Sequence, residues 1–237
     1  MLRKGRGMMA RRGVLGGLIG GAALILMMAG RGLGSKSSYR FKLTVEVDTP
    51  EGLRSGSSVY EVTAWNQFGL DPSGQVRRWE VKGEAVAVEL PNGKMLFSLL
   101  KTGAIHNDLA GMSMTALDPA FKNDIVESAR RIARRNGIRS PAAVAPSDYP
   151  LLVTFRDLSD PASIEKVAPD DLSMSFGSGF ALKAIAVEVT DDAVTTGIEK
   201  RLVWLPDVHQ ILRGREFKPA GIPVGNFKGL FETESRQ

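Results

Sequence analysis

Five arginines crowd one stretch of this chain: Arg130, Arg131, Arg134 and Arg135, with Arg139 just beyond. Guanidinium groups at that density could seat a lipid head group or another acidic partner. A simpler role fits the same positions, because cations near a helix C-terminus are favoured by its dipole. Other reactive side chains are scattered. His106 and His209 are the two histidines, and neither has a second histidine or a suitably spaced carboxylate to make a metal motif. Asp170-Asp171 and Asp191-Asp192 are adjacent acids. Neighbours in a strand face opposite ways, and in turns Asp bonds local backbone, so such pairs do not make a two-carboxylate site. Asp157, Asp160, Asp170 and Asp171 together lack a calcium-loop template. Ser113 sits in Gly111-Met112-Ser113-Met114-Thr115 and Ser178 in Gly177-Ser178-Gly179; neither completes the G-x-S-x-G nucleophile elbow. A dispersed Ser/Lys hydrolase site would leave no signature at all. There is no phosphate-binding loop and no dinucleotide fingerprint after a strand. No catalytic, cofactor-binding or metal residue is therefore assigned, and no cofactor is expected.

The chain has no cysteine. That removes a disulfide framework, a thiolate nucleophile, Cys-ligated zinc and a lipoprotein lipobox. The sequence pI is about 9.6, which suggests a nucleic-acid binder until the positions are read. Nine of the 31 Lys and Arg precede Glu46, the first acid, leaving 22 bases against 26 acids, a net −4. A nucleic-acid binder carries its positive charge on the folded domain, so no nucleic-acid partner is expected.

The leader explains the charge. Arg3, Lys4, Arg6, Arg11 and Arg12 precede an apolar run at 13–30, closed by Arg31. Eighteen residues span about 27 Å as a helix at roughly 1.5 Å per residue, close to the hydrocarbon thickness of a bilayer. The run reads as an uncleaved transmembrane anchor in the lipid bilayer. The alternative is an export signal cleaved near Gly34, by the general or the twin-arginine route. Either way the upstream cations keep the N-terminus in the cytoplasm. The expected location is the inner membrane, single-pass, with the main domain periplasmic. Gly13, Gly17 and Gly21 fall four apart, a spacing that lets two membrane helices approach and form a homodimer. A Gly-rich export segment without a partner gives the same spacing.

The elements beyond the leader read as follows. Residues 1–12 form a cytoplasmic basic segment, 13–30 the anchor and 31–38 a tether. An extracytoplasmic domain covers 39–217 and an irregular tail 218–237. Alternation of apolar and polar residues predicts strands at 41–47 and 57–65, with Thr49-Pro50-Glu51-Gly52 as the turn between them. A short strand is expected around Trp79. Pro91-Asn92-Gly93 marks a hairpin between 84–90 and 94–100, because Asn-Gly tolerates the positive φ of a tight turn. Asp118-Pro119 opens one amphipathic helix at 118–136, with Asp as cap, Pro at the first helical position and Asn136-Gly137 as its stop. Residues 140–150 read as a linker, 151–156 and 181–190 as strands, and 202–212 as a closing strand or helix. The expected fold is β-rich (α+β), sandwich-like antiparallel sheets with one helix, preceded by an N-terminal transmembrane helix.

Several stretches are shared with a known type of chain. They include Leu43-Thr44-Val45-Glu46-Val47-Asp48-Thr49-Pro50-Glu51-Gly52, Ser55-Gly56-Ser57-Ser58-Val59 and Val81-Lys82-Gly83-Glu84-Ala85-Val86. The strongest is Tyr149-Pro150-Leu151-Leu152-Val153-Thr154-Phe155-Arg156-Asp157-Leu158-Ser159-Asp160-Pro161, followed by Ser175-Phe176-Gly177 and Val194-Thr195-Thr196-Gly197. Over about 39–212 the chain resembles a family of uncharacterised bacterial membrane-anchored proteins. That resemblance carries no activity and transfers no site residue. The opening at 43–62 is also similar in pattern to transthyretin-like and Ig-like β-sandwich modules, an analogy of fold and not of function.

Three functional expectations follow. The first is a non-enzymatic binding or assembly module of the cell envelope, working with an envelope protein partner. The second is an exported hydrolase with a dispersed Ser-based site. The third is a binder of anionic surfaces through Arg130 to Arg139.

Overall fold

The computed structural model describes residues 36–68, 75–91, 93–102, 108–135, 138, 140–214, 217, 219, 221–222 and 226–233. The chain divides into two units, Met1–Gly34 and Ser35–Gln237, and only the second holds described residues. The anchor expected at 13–30, with Gly13, Gly17 and Gly21, lies outside them. Among the described residues no helix is long and apolar enough to cross a membrane.

Two antiparallel sheets make up most of the fold. The first is built from β1 (Lys36–Thr49), β2 (Gly52–Phe68), β3 (Gln75–Lys82), β6 (Ala142–Ala143) and β9 (Ala181–Val189), in the order β3-β2-β1-β9-β6. The second holds β4 (Val86–Glu89), β5 (Met95–Thr102), β7 (Pro150–Phe155) and β8 (Ile164–Val167), in the order β4-β5-β7-β8. The period-two pattern of β1 is the reason for its place at the centre. Tyr39, Phe41, Leu43, Val45 and Val47 point into the core, while Arg40, Lys42, Thr44 and Glu46 between them stay half-buried on the outer face. β1 and β2 pair from Lys36↔Trp65 to Thr49↔Gly52. Gly52, at φ +106°, closes the turn, and the Thr49 hydroxyl donates to the Gly52 carbonyl at 2.6 Å. Elsewhere on β2 a methyl added to Gly56 would run into the Ala87 carbonyl of β4, so the two sheets meet where one strand has no side chain.

The hairpin at Pro91 forms as expected between β4 and β5, with Gly93 at φ +74° and the Leu90 N–H donating to the Lys94 carbonyl at 3.0 Å. Other expectations are corrected. The helix expected at 118–136 is the shorter α2 (Ile125–Ala133), and an unexpected helix, α1 (Leu109–Leu117), precedes it. Asp118 is not an N-cap but the C-cap of α1. The caps are Asp108, which accepts from the Gly111 N–H, and Asp124, which accepts from the Glu127 N–H. Asn123, at φ +65°, reverses the chain just before Asp124. The tether expected at 31–38 ends earlier, because Lys36 already pairs in β1. The linker at 140–150 contributes β6, whose residues pair with β9, and Val144 is buried behind it. Of the closing strand or helix expected at 202–212, the helix is the one found: helical turns end in the short helix α4 (Val208–Ile211). A further short helix, α3 (Ser173–Phe176), precedes β9.

Within the tail expected to be irregular, several described residues reach the core. Phe227, Leu230 and Phe231 are buried. Phe231 lies 6.1 Å from the Phe97 ring of β5, 5.9 Å from Phe155 of β7 and 6.1 Å from Trp204. Aromatic burial of this kind is among the largest contributions a single side chain makes. At the class level the fold is as expected: β-rich, with two antiparallel sheets and few helices.

Candidate functional site

The C-terminal segment also closes a cleft. Residues 83–85, between β3 and β4, pair with 231–233. The Ala85 N–H donates to the Phe231 carbonyl at 2.7 Å and the Thr233 N–H to the Gly83 carbonyl at 3.1 Å. Glu84 and Glu232 face each other across this bridge. On the other side runs the loop after β9, where the Thr195 hydroxyl accepts from the Val59 N–H at 2.9 Å. The cleft between them has a volume of about 730 Å³ and is lined by acids and lysines, among them Glu84, Glu199, Glu232, Lys82, Lys200 and Lys228.

Glu84 is the organising residue. Its carboxylate accepts from the Gly197 N–H at 2.9 Å and the Ile198 N–H at 2.7 Å. Those amides open the helical turn Ile198–Lys200, and Gly197 takes the left-handed φ of +107° that presents them. The Ser58 hydroxyl donates to the Glu84 carbonyl at 2.8 Å, fixing its backbone as well. Burial pushes the Glu84 carboxyl above its ordinary value. The two amide bonds oppose that rise, and the neighbouring charges of Glu199 and Glu232 add to it. Glu84, Glu199 and Glu232 bring one carboxylate oxygen each within 4.8 Å of one another, the one such group among the described residues. Oxygen donors of that kind suit a hard cation. Lys228 pairs with Glu232 at 3.2 Å and offsets part of the charge. Nothing local in the sequence marks this group, since Glu84 and Gly197 lie 113 positions apart.

The arginine cluster is built differently from a docking patch. Arg130 pairs with Glu127. Arg131 reaches back to Asp118 with two nitrogens, Nη2 at 2.7 Å and Nε at 3.0 Å from Oδ2, and lies 3.7 Å from Glu127. Arg135 donates to the Leu117 carbonyl at the end of α1. Arg131 and Arg135 tie α2 to the C-terminus of α1. Arg134, the C-cap of α2, is exposed, and Arg139 lies outside the described residues. Burial pushes the Asp118 carboxyl up, but the bonds from Arg131 and the Ala120 N–H outweigh it and hold the group below its ordinary value.

The serines separate cleanly. Ser113 is fully buried in α1, 2.7 Å from the Tyr39 hydroxyl, and donates to the Ala110 carbonyl at 3.0 Å. Ser178 is exposed in the turn between Gly177 and Gly179. His209 is exposed on α4, and His106 lies outside the described residues. Asp157 accepts from the Ser159 N–H and hydroxyl, Asp160 from the Ala162 N–H, and Asp171 from the Ser173 hydroxyl, which are local turn bonds. Comparison with protein-family models, curated proteins and solved structures found no match for this chain.

Proposed function

We propose that this chain is a membrane-anchored, non-enzymatic module of the cell envelope that holds a β-rich binding domain at the extracytoplasmic surface. One observation carries the reading. The apolar run ends at Gly30 and the first strand begins at Lys36, so only residues 31–35 lie between a membrane-length segment and the folded sheet. The cleft around Glu84 offers a polar recess to an envelope partner or small ligand. The hydrolase reading through Ser113 gains no support from a hydroxyl enclosed by Tyr39 and Ala110. Fractionation followed by intact mass tests the proposal. Full-length chain in the membrane fraction is the expected result; a soluble species trimmed near Gly34 would contradict it.

A further inference from the structure

The β2–β3 ribbon borders a second recess, next to the Glu84 cleft and distinct from it. Directly opposed residues of paired strands share a face, and so do residues two apart. Trp65 of β2 stands opposite Arg78 of β3, and Thr63 opposite Glu80; Gln67 lies two along from Trp65. Trp65, Gln67, Arg78 and Glu80 therefore share one face of the ribbon, while Val62 and Ala64 are buried on the other. Asn226, Glu232 and Thr233 of the C-terminal segment complete a recess of about 570 Å³ with these four, within the range of about 300–1,000 Å³ usual for small-ligand sites. Trp79 borders the recess too, but its ring belongs to the opposite face of β3, where its indole N–H donates to Asp108. Local bonds hold the lining in place. The Arg78 Nε–H donates to the Gln67 Oε1 at 3.3 Å, and the Asn226 Oδ1 accepts from the Gly229 N–H at 3.1 Å. A methyl added to Gly229 would stand 2.3 Å from the Asn226 amide nitrogen, so the missing side chain is what lets that amide lie against the segment. The Nη groups of Arg78 and the amide N–H groups of Gln67 and Asn226 remain as donors, and the carboxylates of Glu80 and Glu232 as acceptors.

That lining selects among ligands by charge. Two carboxylates against one guanidinium disfavour an anion. A cation is disfavoured by Arg78, directly opposite Trp65, and by the Lys36 ammonium, 6.0 Å from the centre of the same indole ring. A purely apolar ligand would strip water from the planar polar groups and return no hydrogen bond. A neutral polyhydroxylated ligand meets every part of the lining. A carboxylate or guanidinium bonds two neighbouring hydroxyls at once, and the positively polarised C–H side of a sugar ring suits the negative face of an indole. We propose that this recess binds a neutral saccharide, with Trp65 as the stacking surface and Gln67, Arg78, Glu80 and Asn226 as the groups that bond its hydroxyls. The proposal goes beyond the anchored-module reading and does not depend on it, because every residue it uses belongs to the folded domain.

The test uses full-length chain labelled with 5-fluorotryptophan, in a sugar-free detergent. The chain has three tryptophans, and Trp204 is buried in the core, so fluorine NMR reads the recess and an internal reference in one spectrum once each resonance is assigned by its Trp→Phe variant. The probes are the neutral trisaccharides maltotriose and chitotriose, with inorganic phosphate and choline as charged comparisons. The expected result is a saturable shift of the Trp65 resonance with at least one trisaccharide, none at Trp204, and none at Trp65 with phosphate or choline. Gln67→Ala and Glu80→Ala are each expected to weaken that binding about tenfold. Thermal unfolding checks that each variant keeps the fold, and the wild-type titration decides the matter if neither does. No shift of Trp65 with either trisaccharide at about 20 mM, well above a dissociation constant of about 1 mM, overturns the proposal. So does a shift that both folded variants leave unchanged, or one produced by phosphate or choline and by neither sugar. The titration reads binding whichever cell fraction holds the chain, so its failure is separate from a failure of the anchor.

Discussion

Arg131 holds Asp118 from two directions, Nη2 at 2.7 Å and Nε at 3.0 Å from one carboxylate oxygen, and so locks the second helix onto the end of the first. Asp118 has its folded-state pKa depressed. A depressed carboxyl adds stability above its unfolded pKa, and that stability is lost as pH falls through the lower folded value. Asp118→Asn is therefore expected to lower the unfolding midpoint at neutral pH and to flatten its fall on acidification. A variant with the wild-type acid profile would show that the pair is not coupled to folding.

Glu84 gives the opposite sign. Its folded pKa is raised, so its contribution is present at low pH and is lost as pH rises through the raised value. The groups around it are Glu199, Glu232, Lys82, Lys200 and Lys228. Glu84→Gln is expected to remove the loss of stability above the ordinary glutamate range. Glu232→Gln is expected to shift the Glu84 titration downward, read by carboxylate NMR against pH. No shift in that variant would separate Glu232 electrically from the cleft.

Phe231 is expected to behave as a core residue despite its place near the C-terminus. It is buried among Phe97, Phe155, Trp204 and Phe227. Phe231→Ala should cost about 3–5 kcal/mol, measured by denaturant unfolding. A change below about 1 kcal/mol would mean that the segment at 226–233 does not pack as described.

Ser113 is expected to be inert. A serine-reactive fluorophosphonate should leave it unlabelled in the native chain, because its hydroxyl is enclosed by Tyr39 and the Ala110 carbonyl. Tyr39→Phe removes one of these partners and should cost about 1 kcal/mol. Peptide mapping that finds the probe on Ser113 would return the hydrolase reading to the front.

Much of the sheet was legible in the sequence because β1 and β9 each bury one face and alternate cleanly, and because Asn92-Gly93 favours one kind of turn. The helices were less so. Asp118-Pro119 fits a helix start by local chemistry, yet Asp118 serves α1 as its last neighbour and α2 through Arg131, a contact 13 positions away. α1 itself, Leu-Ala-Gly-Met-Ser-Met-Thr-Ala-Leu, is apolar around most of its surface and so shows no helical period to read. Phe227, Leu230 and Phe231 sit among glycines and polar residues with no pattern, and only their contacts with β5 and β7 make them core. The cleft was invisible for the same reason: Glu84, Glu199 and Glu232 meet through pairings more than a hundred positions apart. The arginines were visible, but their partners at Asp118, Glu127 and the Leu117 carbonyl were not.

The central claim is that the domain from Lys36 onward stands outside the cytoplasm on a membrane anchor. The chain has no cysteine, so a single introduced thiol reports its own location. Met174 is 84% exposed and is the natural site. Full-length Met174→Cys in intact protoplasts, treated with a membrane-impermeant maleimide, should be labelled before lysis and recovered with the membrane. Labelling only after lysis would place the domain in the cytoplasm and contradict the account.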